Sequence, residues 1–204
     1  TSLTKITIPY LNSNIGYLFG TSSYSSQEDY MPSSLKTVIV TGGTAISNYA
    51  FYECYYIEEV VFPNTITTMG KNIFYACKNL KHLTIPFVGD SVKTTESTYQ
   101  YPFGYIFGTS SYSGGSSTKQ YYYSSDLTKT TYTTYYIPSS LESVTVLGGN
   151  LLSGAFYSCS MIDNIFISQN VEYVHGNALY GCSNSVILFE HATKPDAWGL
   201  SATD

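Results

Sequence analysis

The chain has 204 residues, 43% of them hydrophobic, and a formal net charge of −5. This excludes a disordered composition and leaves enough chain for a sizeable core; no apolar run approaches the roughly 18 residues of a membrane span. All nine bases are lysines. Without arginine forks or a basic patch to read base edges and clamp phosphates, nucleic acid is excluded as a partner.

The first element, "LTKITIP" at 3–9, alternates apolar and polar residues like a strand. It follows Thr1 directly, which reads as a trimmed start, so the lack of an export signal carries no weight. Related phrases follow: "LKTVIVTGG" at 35–43, "IEEVVFP" at 57–63, "LKHLTIP" at 80–86, "LESVTVLGG" at 141–149, "IDNIFIS" at 162–168 and a degenerate "SVILFE" at 185–190. In each full copy the first, fourth and sixth positions are apolar, as in Leu80, Leu83 and Ile85. The last two share one strand face. One such strand cannot bury its own face, but stacked copies share a continuous core. Leu35, Val38, Val40, Ile57, Val60, Phe62, Leu80, Leu83, Ile85, Leu141, Val144 and Val146 are therefore expected inside.

Between strands, residues 50–86 repeat themselves at a 23-residue step: Phe51 returns as Phe74 and Cys54 as Cys77, and later Phe156 and Cys159 return as Leu179 and Cys182. A period of about 20–29 residues is that of a leucine-rich solenoid. The phenylalanines are expected to fill the interior opposite the strands, each with a small buried cysteine beside it. The four cysteines form no CxxC pair and have no histidine at metal spacing, so no metal or other cofactor is expected. They are expected to be buried free thiols, since a parallel ladder does not give the dihedral a disulfide needs.

Two stretches break the period, at about 10–34 and 87–140, and they resemble each other. "GYLFGTSSYS" at 16–25 matches "GYIFGTSSYS" at 104–113, and "MPSSLKTVIVTGG" matches "IPSSLESVTVLGG". A second repeat of about 106 residues is thus laid over the first. Phe19 and Phe107 are candidates to replace the periodic phenylalanine. Long loops of this kind tend to be functional or disordered, and the aromatic content argues against disorder.

The chain contains no GxSxG, HExxH, GxGxxG or P-loop signature. His82 falls at an outward strand position, His175 in a turn and His191 near the C-terminus, none spaced to reach a serine nucleophile. Glu58–Glu59 and Glu28–Asp29 are neighbours in sequence and do not read as acid/base dyads. No Asp-rich run supports a calcium site at Asp126. An enzyme is not expected.

Residues 50–86 resemble over their full length the pattern AF..C..L..V.IP..V..IG..AF..C of the BspA-like leucine-rich-repeat family, a class of bacterial and protist surface proteins. "HATKPDAWG" at 191–199 resembles the family's terminal cap, with Pro195 and Trp198 closing the last coil. Ser185 in place of an aliphatic, and "TGG" or "LGG" in place of IP, depart from the pattern and suggest a terminating coil and a bulge or loop exit. The resemblance implies a right-handed solenoid of stacked short parallel strands, with an irregular or short-helical opposite side. It also implies a secreted or cell-surface protein that binds host or microbial ligands.

The expectation is one solenoid over 1–204 with two Tyr/Ser-rich insertions and a cap at about 185–204, monomeric. Six or seven strands at roughly 4.8 Å spacing extend about 30 Å. The outward positions Thr7, Ile39, Val61, Thr84, Thr145 and Phe166 are expected to align as a row. The insertion tyrosines Tyr121, Tyr122 and Tyr123 are expected to lie with that row, either beside it as contacts or folded over it as a cover; Tyr/Ser/Gly loops give contact area at low entropic cost, which favours binding. Ile39, Val61, Phe166, Tyr121, Tyr122 and Tyr123 are thus the candidate contacts for a protein or glycan on a host or neighbouring cell. The alternative is a structural spacer with no ligand of its own.

Overall fold

A computed structural model describes residues 2–94, 100–123, 130–195 and 198–199, without the side chains of residues 122, 123 and 130. The strand phrases become one seven-stranded, all-parallel sheet. Its strands are β1 (Lys5–Ile8), β2 (Thr37–Val40), β4 (Glu59–Val61), β6 (His82–Ile85), β9 (Ser143–Val146), β11 (Asn164–Ile167) and β13 (Val186–Phe189), adjacent in that order. All twelve expected core residues are 2% exposed or less. Period-2 alternation produces this: in β2, β9 and β11 every second residue is buried and those between are half-buried.

After each of these strands the chain turns onto a second side, with two short parallel sheets. One joins β3 (Ala45–Ile46) to β5 (Thr68–Met69); the other joins β10 (Gly149–Leu151) to β12 (Val171–Val174). The glycines of "TGG" and "LGG" make this corner, with Gly43 at φ +92 and Gly149 at φ +75. The pairing of β10 with β12 slips at Gly149/Asn150, so the departure from IP is a bulge and a turn.

The third side carries the phenylalanines. Phe51, Phe74, Phe107, Phe103 and Phe156 form one continuous stack with centroid separations of 5.4, 5.9, 5.2 and 4.8 Å. A backbone ladder runs beside it: Phe51 N–H donates to Ile73 (2.8 Å), Phe74 to Ile106 (2.8 Å), Phe103 to Ala155 (2.8 Å) and Phe156 to Ala178 (2.7 Å). The second long repeat therefore supplies two rings where a plain coil supplies one: Phe107 continues the stack toward Phe74, and Phe103 continues both stack and ladder toward Phe156. In the first repeat Ile15 holds the place of Phe103, fully buried, with its N–H donating to Ala50.

Both insertions begin as 3-10 turns, Ile15–Phe19 and Phe103–Ile106, and then diverge. The first continues into α1 (Gln27–Tyr30). The second becomes an antiparallel hairpin of β7 (Gly115–Tyr123) and β8 (Thr130–Pro138), in register from Gly115↔Pro138 to Tyr123↔Thr130. Near the C-terminus Trp198 is 4% exposed. Its Nε1 donates to Glu172 O (3.2 Å), its ring meets Phe189 at 4.9 Å, and Gly199 N–H donates to Val174 O.

Candidate functional site

The register of the long sheet sets the outer row: Thr7↔Ile39↔Val61↔Thr84↔Thr145↔Phe166, extended by Leu188. Ile39, Val61, Thr84, Thr145 and Phe166 are half-buried between neighbouring side chains, while Thr7 and Leu188 are exposed. Beside it runs a polar row through Thr37, Glu59, His82, Ser143 and Asn164. Thr37 Oγ1 donates to Glu59 (3.1 Å), and His82 Nδ1 lies 2.9 Å from Ser143 Oγ. At the entry to the strands Glu58 is bridged by Lys36 (3.3 Å) and Lys81 (3.2 Å). The Lys81 and Lys36 ammonium groups hold its carboxyl below the usual range. The result is a surface with an apolar and threonine centre and hydrogen-bonded polar flanks.

The structure does not bring the hairpin tyrosines to this row. Gln120 and Tyr121 of β7 pack on the third side, among the turns that follow the phenylalanines. Tyr121 is 7% exposed; its hydroxyl lies 2.8 Å from Ser153 Oγ, and its ring meets Tyr157 edge-on at 4.7 Å. A ring so enclosed holds the hairpin to the solenoid and has no free face for a ligand, so the expectation that Tyr121 lies with the strand row is corrected. β7 also carries the backbone of Tyr122 and Tyr123; their side chains lie outside the described residues, as does Asp126.

The third side shows what the tyrosines do. Phe51, Phe74 and Phe156 are each followed by a tyrosine, as is Leu179, and neighbouring coils stack these: Tyr52 on Tyr75 (4.8 Å) and Tyr157 on Tyr180 (5.3 Å). The insertions add rings to the same ladder. Tyr24 stacks on Tyr49 (4.4 Å) and meets Tyr52 edge-on, and Tyr112 meets Tyr75 (5.5 Å). Burial, with Glu53 nearby, pushes the Tyr52 and Tyr55 hydroxyls up to about 12. The recurrence of Tyr directly after Phe at the 23-residue step carried this signal in the sequence.

Two residues that sequence reasoning missed tie the insertions down. Gln27 and Gln120 are both fully buried. Gly16 N–H donates to Gln27 Oε1 (3.0 Å) and Gly104 N–H to Gln120 Oε1 (2.6 Å). Gln27 Nε2 donates to Tyr49 O and Tyr52 O, and Gln120 Nε2 to Tyr157 O (2.9 Å) and Cys159 Sγ (3.0 Å). Glycine is needed at both turns: a Cβ on Gly104 would sit 2.5 Å from Gln120 Oε1, and one on Gly16 2.9 Å from Gln27 Cγ.

The four cysteines are buried free thiols. Cys77 donates to Phe51 O (2.9 Å) and Cys182 to Phe156 O (3.2 Å), in each case to the preceding coil. Burial raises all four thiols, Cys182 to about 11. A raised thiol is a poor nucleophile and a poor metal ligand at neutral pH. Among the described residues no group of three His, Cys, Asp or Glu is placed to hold a metal ion, and no helix is long and apolar enough to cross a membrane.

The family that the chain matches agrees with this architecture. A family model described as BspA type leucine rich repeat region matches in six copies, over residues 26–150 and 105–194. Among solved structures, a leucine rich cell surface protein from Faecalibacterium prausnitzii is similar at 17% identity, with a TM-score of 0.40. The match covers 79% of this chain and 34% of that one. No curated protein matches.

Proposed function

Because the chain belongs to the BspA type leucine rich repeat family, we propose that it is an extracellular or cell-surface interaction module whose ligand lies along the outer face of the long sheet. The ligand is a protein or glycan on a host or neighbouring cell. The observation that carries this is the in-register row in which Ile39 and Val61, and beyond Thr84 and Thr145 also Phe166 and Leu188, leave apolar side chains half-buried or exposed. Scattered apolar residues on a surface are ordinary, but an aligned run of them marks a contact surface. The flanking Lys36–Glu58–Lys81 bridges and the Thr37–Glu59 bond supply a polar rim of the kind that surrounds the apolar centre of protein interfaces. Tyr122 and Tyr123 on the hairpin are proposed as separate, secondary contacts. The repeat is a scaffold, and we assign it no reaction.

The test is an array of matrix proteins and glycans probed with the intact chain, with an Ile39→Ser/Val61→Ser/Phe166→Ser variant and with a Tyr122→Ser/Tyr123→Ser variant. Loss of a bound ligand on the first variant, with its thermal transition retained, is the expected outcome. Binding unchanged in both variants overturns the surface assignment, and an array with no ligand at all favours the spacer reading.

A further inference from the structure

The second side of the solenoid carries a furrow that the strand-row reading does not use. It runs across the coils as two open depressions of about 430 and 580 Å3 that share Ser47. Tyr10, 57% exposed, stands at one end and Tyr105 lines the other. Glycine lets the coils approach closely here: a Cβ on Gly70 would come within 2.3 Å of Asn48 N, and one on Gly43, at φ +92, would lie 3.4 Å from Tyr10 Cβ.

The walls offer neutral hydrogen-bonding groups. Asn48, exposed, accepts from Lys71 N–H at its Oδ1 (2.8 Å), which fixes an amide side chain at the furrow. Thr68 is exposed on β5. Among the described residues of the furrow the one carboxylate, Asp90, lies 3.6 Å from Lys93 Nζ, which offsets its charge. The segment that follows β6 builds the far wall: Asp90 O accepts from Met69 N–H (2.8 Å), and Thr68 bridges Ser91. That bridge and the β3–β5 pairing occupy both edges of β5, which leaves it no ladder for an added peptide strand.

We propose that this furrow is a binding site for a short neutral oligosaccharide. The chemistry fits in three respects. Sugar rings lie on exposed aromatic faces such as Tyr10, with a polar rim to orient them. Their hydroxyls both donate and accept, matching an amide donor, a threonine hydroxyl and a carboxylate held in fixed positions. A furrow crossing four coils at roughly 4.8 Å each spans on the order of 15 Å, the length of a few pyranose rings.

The inference is independent of the strand-row proposal, and its test keeps them apart. Cellotetraose, mannotetraose, xylotetraose and chitotetraose are titrated into the intact chain by calorimetry, with a tetragalacturonate as the acidic comparison. Tyr10→Ala and Thr68→Val, both at exposed positions, are checked by thermal melting and titrated in parallel with Phe166→Ser. The expected result is binding of at least one neutral tetrasaccharide, weakened tenfold or more by Tyr10→Ala and severalfold by Thr68→Val, and unchanged by Phe166→Ser. Absence of binding by all four at millimolar concentration overturns the proposal. So does binding that ignores both furrow variants, binding of the acidic sugar alone, or an extended peptide that occupies the furrow in their place.

Discussion

Gln27 and Gln120 make the same bonds from unlike secondary structure. One sits in α1 and the other in β7, yet each accepts from the glycine N–H of a GY(L/I)FG turn and donates to the carbonyl of the tyrosine after the next coil's phenylalanine. The two insertions are alternative ways of delivering one buried amide to one place. Leucine at either position would leave the glycine N–H unpaired in the interior and the tyrosine carbonyl with only a long thiol contact (3.8 Å from Cys54, 3.9 Å from Cys159), at about 1–3 kcal/mol for each buried group. Gln27→Leu and Gln120→Leu are each expected to lower unfolding free energy by about 2–4 kcal/mol. The two values should agree within roughly 1 kcal/mol despite the helix and hairpin around them. Urea denaturation of both variants checks this, and a near-neutral result for either removes the anchoring role.

The strands, their order and the buried face were legible because the same phrase, apolar at its first, fourth and sixth positions, recurs coil after coil, and a buried face tolerates no one-residue slip. Leu35, Ile57 and Leu80 announce themselves by spacing, and Leu141, beyond the insertion, by the phrase it opens. The position of Tyr121 did not, because the hairpin lies outside the period and its placement is set by Gln120, a single polar residue with no periodic partner in sequence. Its counterpart Gln27 is separated from the shared GTSSYS phrase by a different number of residues, so alignment of the insertions does not superpose them. Tyrosine composition suggested exposed contact loops; its larger use is the ladder through Tyr52 and Tyr75.

Phe107 is fully buried between Phe74, which it meets at a tilt, and Phe103, which it meets edge-on, so it joins the long insertion to the coils before it. Phe107→Ala is expected to cost about 3–5 kcal/mol, the range for a buried aromatic truncated to a cavity. Phe166→Ser, on the half-exposed outer row, is expected to cost under about 1 kcal/mol. Denaturant midpoints compare the two directly, and equal losses would mean that the outer row is packed as a second core.

Alkaline pH should unfold the chain in a defined window. The thiols titrate at 9.0 when unfolded and Cys182 at about 11 when folded, raised by burial. The Tyr52, Tyr55 and Tyr105 hydroxyls rise from 10.0 to about 12, again chiefly by burial. Between each pair of values the unfolded chain has released a proton that the folded chain keeps, so stability falls as pH rises. The loss begins near pH 9 and steepens above 10. Thermal melting at pH 7, 9, 10 and 11 checks the sign. At pH 7 the native thiols are expected to resist iodoacetamide, with Cys182, the most exposed of the four at 8%, labelled first. Rapid labelling of Cys77 in the native protein would contradict its burial.

The residue before each cysteine adopts the left-handed conformation: Glu53 at φ 56, Ala76 at 57, Ser158 at 59 and Gly181 at 81. The turn that carries the phenylalanine back toward the long sheet requires it, yet only the last copy uses the residue that tolerates it. A side chain there costs roughly 1–2 kcal/mol, offset in part by the greater chain entropy glycine loses on folding, about 0.5–1 kcal/mol. Ser158→Gly is therefore expected to stabilise the protein by about 0.5–1 kcal/mol. The reverse change is worse than strain alone, because a Cβ on Gly181 would lie 3.1 Å from Ser158 Cα and 3.2 Å from its nitrogen in the neighbouring coil. Ser158 N–H donates to Tyr180 O there (2.8 Å), so the coils cannot separate without lengthening a ladder bond. Gly181→Ala is expected to destabilise by at least about 1–2 kcal/mol. Urea midpoints decide both signs. If Ser158→Gly lowers the midpoint, or Gly181→Ala leaves it unchanged, the left-handed turn is not a source of strain in this repeat.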